Sequence, residues 1–323
     1  MDKYLKTWLD IISKMANDNT YKLAWGRGII DCITSEKYTS SDNYIEIGFY
    51  AISEKILKYY WNQGFFFQLK QGPNRDKPPV IYQIAEEVIQ HYKNVSQSTI
   101  PIWYDRAEPI LSKDQEYYKN IMKKLIKALK QDVCWRFLNI NGVAQNVYEL
   151  NRKEEWIRIS HPNKEILKEY GVILTQLLNY KWTQLLEQFN RSPKIASKIR
   201  GSQENSIRRK SLSKYKDLLL KQFEDGIPID FYTGMTIEVD NISIDHVIPW
   251  SFIYSDDIWN LVITSKSYNS QKSNSIPHEQ DINKLIIRNE RLVKLAVDKH
   301  MHESISEAIH NKYVQKYYAD MQI

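Results

Sequence analysis

Apolar side chains recur at three- and four-residue intervals through most of the first 190 residues. A chain with that period must bury them as helices, because only a repeat near 3.6 puts such positions on one face. Leu5, Trp8, Leu9, Ile12 and Met15 mark one helix; Tyr21, Leu23, Ala24, Ile29, Ile30 and Ile33 mark a second. The spacing predicts further helices over 45–60, 80–92, 113–130 and 163–189, and Gln71-Gly72-Pro73-Asn74 interrupts the pattern. Only 10 Gly and 10 Pro in 323 residues leave room for such stretches, and nine Trp with 22 Tyr supply bulky core side chains. There is no internal repeat, so residues 1–190 read as one packed helical body.

The composition changes at Arg191. From there to Lys221 ten basic residues stand against Glu204 and Asp217, a larger surplus than the +6 of the whole chain. A charge run of this kind is often a solvated helix face. Its place just ahead of the segment described next favours a phosphate-gripping role for Arg208, Arg209, Lys210 and Lys214, by neutralising backbone charge and releasing counterions.

Past Lys221 the helical period gives way to short β-prone runs. Residues 235–239 and 242–246, around Asp240-Asn241, predict a hairpin ending in Asp245-His246. A loop with Pro249 and the pair Asp256-Asp257 follows, then a third strand-like run, 260–264. Ser265 can cap a helix running to Asn274, on which Asn269 and Lys272 share a face. Beyond Pro277, residues 282–297 and 305–318 return to helical spacing, and could cover the preceding module, pack on the body or touch a ligand.

The strings Ile244-Asp245-His246-Val247-Ile248-Pro249-Trp250-Ser251, Asp257-Ile258-Trp259-Asn260-Leu261-Val262 and Tyr268-Asn269-Ser270-Gln271-Lys272-Ser273-Asn274 resemble the ββα-metal core of HNH endonucleases. The intervals are also similar to those of the HNH domain of CRISPR effector nucleases, and the basic lead-in resembles HNH enzymes of the restriction and defence type. A weaker resemblance extends into the body, at Asn19-Thr20-Tyr21-Lys22-Leu23-Ala24, at Tyr59-Tyr60-Trp61 and at Gln71-Gly72.

The resemblance implies Mg²⁺-dependent (or Mn²⁺-dependent) hydrolysis of DNA that leaves a 5′ phosphate. An imidazole suits His246 to deprotonate water near neutral pH. Asp245 and Asn269 offer the oxygen ligands a hard cation prefers, and that cation offsets charge building on the phosphate. Asn260 matches the position that steadies the loop aiming the catalytic His, and Lys272 is placed to hold a phosphate oxygen. Many such proteins carry two Cys-x-x-Cys zinc knuckles. Here Asp230-Phe231-Tyr232-Thr233-Gly234 and Ser265-Lys266-Ser267-Tyr268-Asn269 occupy those places without Cys, so structural zinc is not expected, and packing of Phe231, Tyr232 and Tyr268 is expected to replace it.

The expected architecture is therefore mainly α with a small α+β module. It comprises a helical recognition or partner-binding body (1–190), a basic connecting segment (191–228), an HNH core (229–277) and carboxy-terminal helices (278–323). The expected partner is double-stranded DNA, with a homodimer or a subunit role in a defence complex both compatible. A DNA-binding module that has lost catalysis is the alternative. With only Cys32 and Cys134, no signal-like start and no long apolar run, a cytoplasmic protein with no membrane association is expected.

Overall fold

The structure, a computed structural model, describes residues 1–16, 19–72, 77–200, 211–223 and 225–322, apart from the side chain of Arg200. The chain divides into two compact units: Met1–Ser98, Ile102–Asn190 and Ile195–Ser206 form one, and Thr99–Pro101, Arg191–Lys194 and Ile207–Ile323 the other.

The first unit is mainly helical. Its opening helix, Lys3–Lys14, is capped by Asp2, whose carboxylate accepts from the amides of Tyr4 and Leu5 at 2.7 and 3.1 Å. The helix Tyr21–Thr34 packs along His161–Glu187, a 27-residue helix about 40 Å long. A small residue is needed at Gly26, where a Cβ would lie 3.3 Å from Leu178 of the long helix and 2.7 Å from the ring of Phe137. Trp8, Trp25, Trp61 and Trp182 are fully buried at the centre.

The expected helix over 45–60 is corrected at its start. Tyr44–Gly48 is a strand, and the helix runs only from Phe49 to Trp61. Ile45 and Ile47 alternate inward opposite Ile159 and Ile157 of the strand Trp156–Ser160, so a period of two overrides the helical reading. These strands are the middle of a four-stranded sheet, flanked by Thr39–Ser40 and Glu149–Asn151. The amino-terminal segments singled out in the sequence meet in a buried network. The Thr20 hydroxyl lies 2.6 Å from the Tyr60 hydroxyl and donates to Gln71 Oε1 at 3.3 Å, while Gln71 Nε2 donates to Gln63 at 2.9 Å. These groups are sealed from solvent and hold the unit together.

In the second unit the strand Ile242–His246 does pair antiparallel, but with Leu261–Ser265, not with 235–239. The stretch Val239–Asn241 forms a 3₁₀ turn, and residues before it fold back onto their own loop, with the Ile237 amide donating to Pro228 O and that of Asp230 to Met235 O. The carboxy-terminal stretch forms three helices, Glu279–Leu295, Lys299–His310 and Tyr313–Gln322; the expected single helix over 305–318 is broken at Lys312, whose φ is +54°. Their buried faces (Leu285, Leu292, Ile305, Val314) share one apolar cluster with Leu261, Val262 and Ile263. Each such side chain contributes roughly 1.5–3 kcal/mol by leaving water. The tail thus covers the hairpin module. Among the described residues no helix is long and apolar enough to cross a membrane.

Candidate functional site

The hairpin register sets Asp245 opposite Val262 and His246 opposite Leu261, at the end of the paired strands. The helix Lys266–Lys272 starts directly after the second strand, capped by the Ser265 hydroxyl, and returns Asn269 and Lys272 to the first strand. Asp245, His246 and Asn269 line one cleft of about 180 Å³ together with Trp250, Ser270, Ser273 and Asn274. Asn269, well beyond the Asp245-His246 pair in sequence, is therefore its neighbour in space.

Each has distinct support. The buried Asp245 carboxylate receives, at Oδ2, the Tyr232 hydroxyl at 2.6 Å and the Lys272 ammonium at 3.0 Å. Burial, and then the Asp245 charge, push the Tyr232 phenol well above its ordinary pKa, so it stays a donor. Oδ1 of Asp245 takes no hydrogen bond from the described residues. Asn269 gives its amide nitrogen to the Ser243 hydroxyl at 2.7 Å and weakly to the Ile244 carbonyl at 3.5 Å, which leaves its carbonyl oxygen uncommitted. His246 faces Asp256 through Nε2, 3.1 Å from Oδ1. The loop bearing Asp256 is held by the Tyr215 hydroxyl, which donates to the Asp256 carbonyl at 2.6 Å. Asn260 is fully buried, accepts from the Ile248 amide and donates to the Ile248 carbonyl, both at 2.8 Å, and so fastens the loop after His246.

Beneath the cleft, Asp230 ties together the two stretches that stand where zinc knuckles are expected in many relatives. Its Oδ1 accepts from the amides of Tyr232 and Thr233 at 2.9 and 3.1 Å. Its Oδ2 accepts from the Thr264 hydroxyl at 3.0 Å and the Ser265 amide at 2.8 Å. Burial alone raises this carboxyl's pKa, but the four donors outweigh it and hold the group below the usual carboxylate range. The Tyr232 and Tyr268 rings stack 4.6 Å apart and Phe231 meets Tyr232 edge-on at 5.1 Å. Aromatic packing and one shared carboxylate together join the segments.

The structure thus brings Asp245, His246, Asn260, Asn269 and Lys272 together. Lys272 is turned inward, donating to the His246 carbonyl at 2.8 Å as well as to Asp245; of its three N–H groups one is left over. Lys214 is exposed, its ammonium 4.6 Å above the Tyr215 ring. Arg208, Arg209 and Lys210 lie outside the described residues. Lys198, counted in the basic run, is fully buried and so cannot present its charge on the surface. The roles of Asp256 and Asp230, and the hydrogen bond of Tyr232 to Asp245, have no counterpart in the sequence reading, which places Tyr232 only in packing. Asp256 was visible only as half of an acidic pair in a loop, whereas Asp230 and Tyr232 stood in a place recognised as important for a different reason.

The donors fit a divalent cation. Among the described residues no cluster of three or more His, Cys, Asp or Glu side chains is arranged to hold a metal. A hard ion with few protein ligands does not need one, since water and phosphate oxygens complete its shell. The buried carboxylate of Asp245 keeps an oxygen unpaired, Asn269 keeps a carbonyl oxygen, and an ammonium already sits beside the same carboxylate, which marks the place as one that favours positive charge.

Comparison with known proteins agrees with this geometry. Residues 230–278 match a family model described as HNH endonuclease. The CRISPR-associated endonuclease Cas9 of Listeria innocua serovar 6a is 43% identical over 51 residues, 15% of this chain and 4% of that protein. The CRISPR-associated endonuclease Cas9 of Streptococcus mutans serotype c is 39% identical over 59 residues, 17% of this chain and 4% of that protein. The chain therefore spans only a small fraction of the curated relatives it matches. No solved structure matches significantly. Residues 3–200, more than half the chain, match a second model, described as domain of unknown function (DUF8808); the chain belongs to that family and carries an HNH endonuclease domain after it.

Proposed function

We propose that the chain hydrolyses DNA phosphodiester bonds at the Asp245–His246–Asn269 cleft, with Mg²⁺ or Mn²⁺ as the cation. The single observation that carries this reading is the convergence of an unpaired carboxylate oxygen, an amide carbonyl and an imidazole on one cleft. With Asp256 at Nε2, the imidazole of His246 keeps its proton on that nitrogen, and Nδ1 is the basic site that takes a proton from water. Asp245 and Asn269 would hold the metal, which when bound supplies Lewis-acid stabilisation of the charge on the phosphate. Asn260 keeps the His246 loop from drifting, and an ångström of drift matters for in-line attack. The ammonium of Lys272, held by Asp245 and the His246 carbonyl and lying 5.6 Å above the Tyr232 ring, adds positive charge behind the site toward the phosphate. The resemblance to HNH endonucleases implies that cleavage leaves a 5′ phosphate.

The substrate is double-stranded DNA, gripped in part by the basic stretch with Arg208, Arg209, Lys210 and Lys214. The preceding body, residues 1–190, serves target recognition or docking in a restriction or phage-defence setting; the CRISPR association in the names of the two relatives supports defence. Incubating plasmid with the protein and Mg²⁺, alongside His246→Ala and a chelator control, tests the reading. Metal-dependent nicks or breaks that vanish in the variant are expected. Equal inactivity of both proteins would instead favour a DNA-binding module that has lost catalysis.

A further inference from the structure

The second unit holds another cleft, about 730 Å³, distinct from the Asp245 cleft in every lining residue. Its wall is mostly apolar, with Phe223, Phe231, Val262, Ile263, Ile287 and Leu295, and its charge is one-sided. Lys221, Lys284, Arg288, Arg291 and Lys294 border it. The one acid lining it among the described residues, Asp230, spends both oxygens on four protein donors. Of the five cations Lys284 reaches a carboxylate outside the lining, Asp281, at 3.9 Å, and no described lining carboxylate is left to answer the other four.

Arg288 makes the imbalance specific. Its Nη2 donates to the Trp259 carbonyl at 3.2 Å, while Nε and Nη1 are buried without a partner among the described residues. Burial pushes this guanidinium down to about 9, with the Tyr232 phenol opposing. A buried planar fork with unspent donors is costly unless an anion completes it, and its geometry matches phosphate. Inorganic phosphate would leave most of a cleft this size unfilled. The apolar wall and the two phenylalanines suit a flat, weakly polar body attached to the anion.

We propose that this cleft binds a nucleoside phosphate, with the phosphoryl group at Arg288, Arg291 and Lys294 and the base against Phe223 and Phe231. The choice of a base as the flat body rests on the nuclease reading of the domain; the anion does not. The nucleotide is either free or part of a nucleic acid strand.

The test is calorimetric titration of the full chain without divalent metal, using adenosine 5′-monophosphate, adenosine, inorganic phosphate and a short single-stranded oligonucleotide. The monophosphate is expected to bind at least about tenfold more tightly than either adenosine or phosphate, since each lacks half of the contacts. Arg288→Met is expected to weaken it at least about tenfold, and the exposed pair Arg291→Gln with Lys294→Gln by roughly threefold or more. That surface pair decides the matter if Arg288→Met does not fold. Competition between oligonucleotide and monophosphate assigns the cleft to a strand, and independent binding assigns it to a free nucleotide. Absence of monophosphate binding at millimolar concentration, equal binding of adenosine or of phosphate, or unchanged binding in both variants overturns the proposal. Plasmid cleavage is scored separately. A protein that cuts but ignores the nucleotide refutes only the cleft, and one that binds it but never cuts refutes only the nuclease reading.

Discussion

Asp230→Asn isolates the contribution of a single carboxylate to the scaffold under the cleft. The asparagine oxygen still accepts from the amides of Tyr232 and Thr233, but its NH₂ replaces the oxygen that accepted from Thr264 and Ser265. Thr264 can rotate its hydroxyl to accept; the Ser265 amide cannot, and two donors then face each other. One charge-assisted bond lost, at ~1.5–3 kcal/mol, and weaker neutral acceptance for the others sum to about 3 kcal/mol of local stability. Hydrogen exchange of the peptide covering residues 261–272 in the full chain reads this directly, and the expected acceleration at neutral pH is on the order of a hundredfold. The pH dependence has a definite sign. Because the folded Asp230 pKa lies below its unfolded value, its stabilisation is complete above the unfolded value, near ~4. It is lost as pH falls through the folded one. The ratio of variant to wild-type exchange should therefore be constant from neutral pH down to that region and shrink below it. Acceleration of less than a few-fold at neutral pH, or a ratio that grows on acidification, would refute the cross-link.

His246→Ala should lower plasmid cleavage by roughly 10²- to 10⁴-fold, the range of a lost general base, with an unchanged far-UV spectrum. Asp256→Asn should reduce turnover more than substrate affinity, and ¹⁵N shifts of the His246 imidazole should change from one tautomer to a mixture; an unaltered tautomer signal would remove Asp256 from its positioning role. Asn260→Ala leaves the Ile248 amide and carbonyl unpaired in a buried place, so a loss of about 2–4 kcal/mol in the stability of residues 246–260 is expected from hydrogen exchange, with cleavage falling in step. Lys272→Met removes the cation beside Asp245, and Mn²⁺ titrated calorimetrically without DNA should then bind more tightly, by about tenfold at most for a partly screened pair. Weaker Mn²⁺ binding would show that Lys272 organises Asp245 and does not compete for it.

What the sequence made legible followed the range of the interactions involved. Helices came from local period: Val80–Ser96 and His161–Glu187 were visible because the same few residues that set the pattern also make the buried face. The strand Tyr44–Gly48 is not legible locally because its partner, Trp156–Ser160, lies far along the chain, and two isoleucines with a tyrosine fit either period over so short a run. The strand ending in Asp245-His246 is legible in the sequence, but its partner, Leu261–Ser265, is not. The β-prone 235–239 stretch is close in sequence, yet the partner is Leu261–Ser265, a pairing flanked by the hydrogen bonds of Asn260 to Ile248 and of Asp230 to Ser265.

The same rule separates the residues expected to meet substrate from those that aim them. Asp245, His246 and Asn269 could be named from order and spacing, because a strand end and one turn of a capped helix suffice to present them. Their supports could not. Asp256 reaches His246 from a loop held by Tyr215, and Tyr232 reaches Asp245 from a segment held by Asp230. Each support depends on a contact whose two ends are set by different elements, so no local pattern encodes it. This has a consequence for variants. Substitution at Tyr215, 31 residues before His246 in sequence, should disturb the imidazole through the Asp256 loop more than substitution at exposed Asn241, only five residues before His246. Tyr215→Phe, which removes only the hydroxyl bound to the Asp256 carbonyl, is the minimal form of that change.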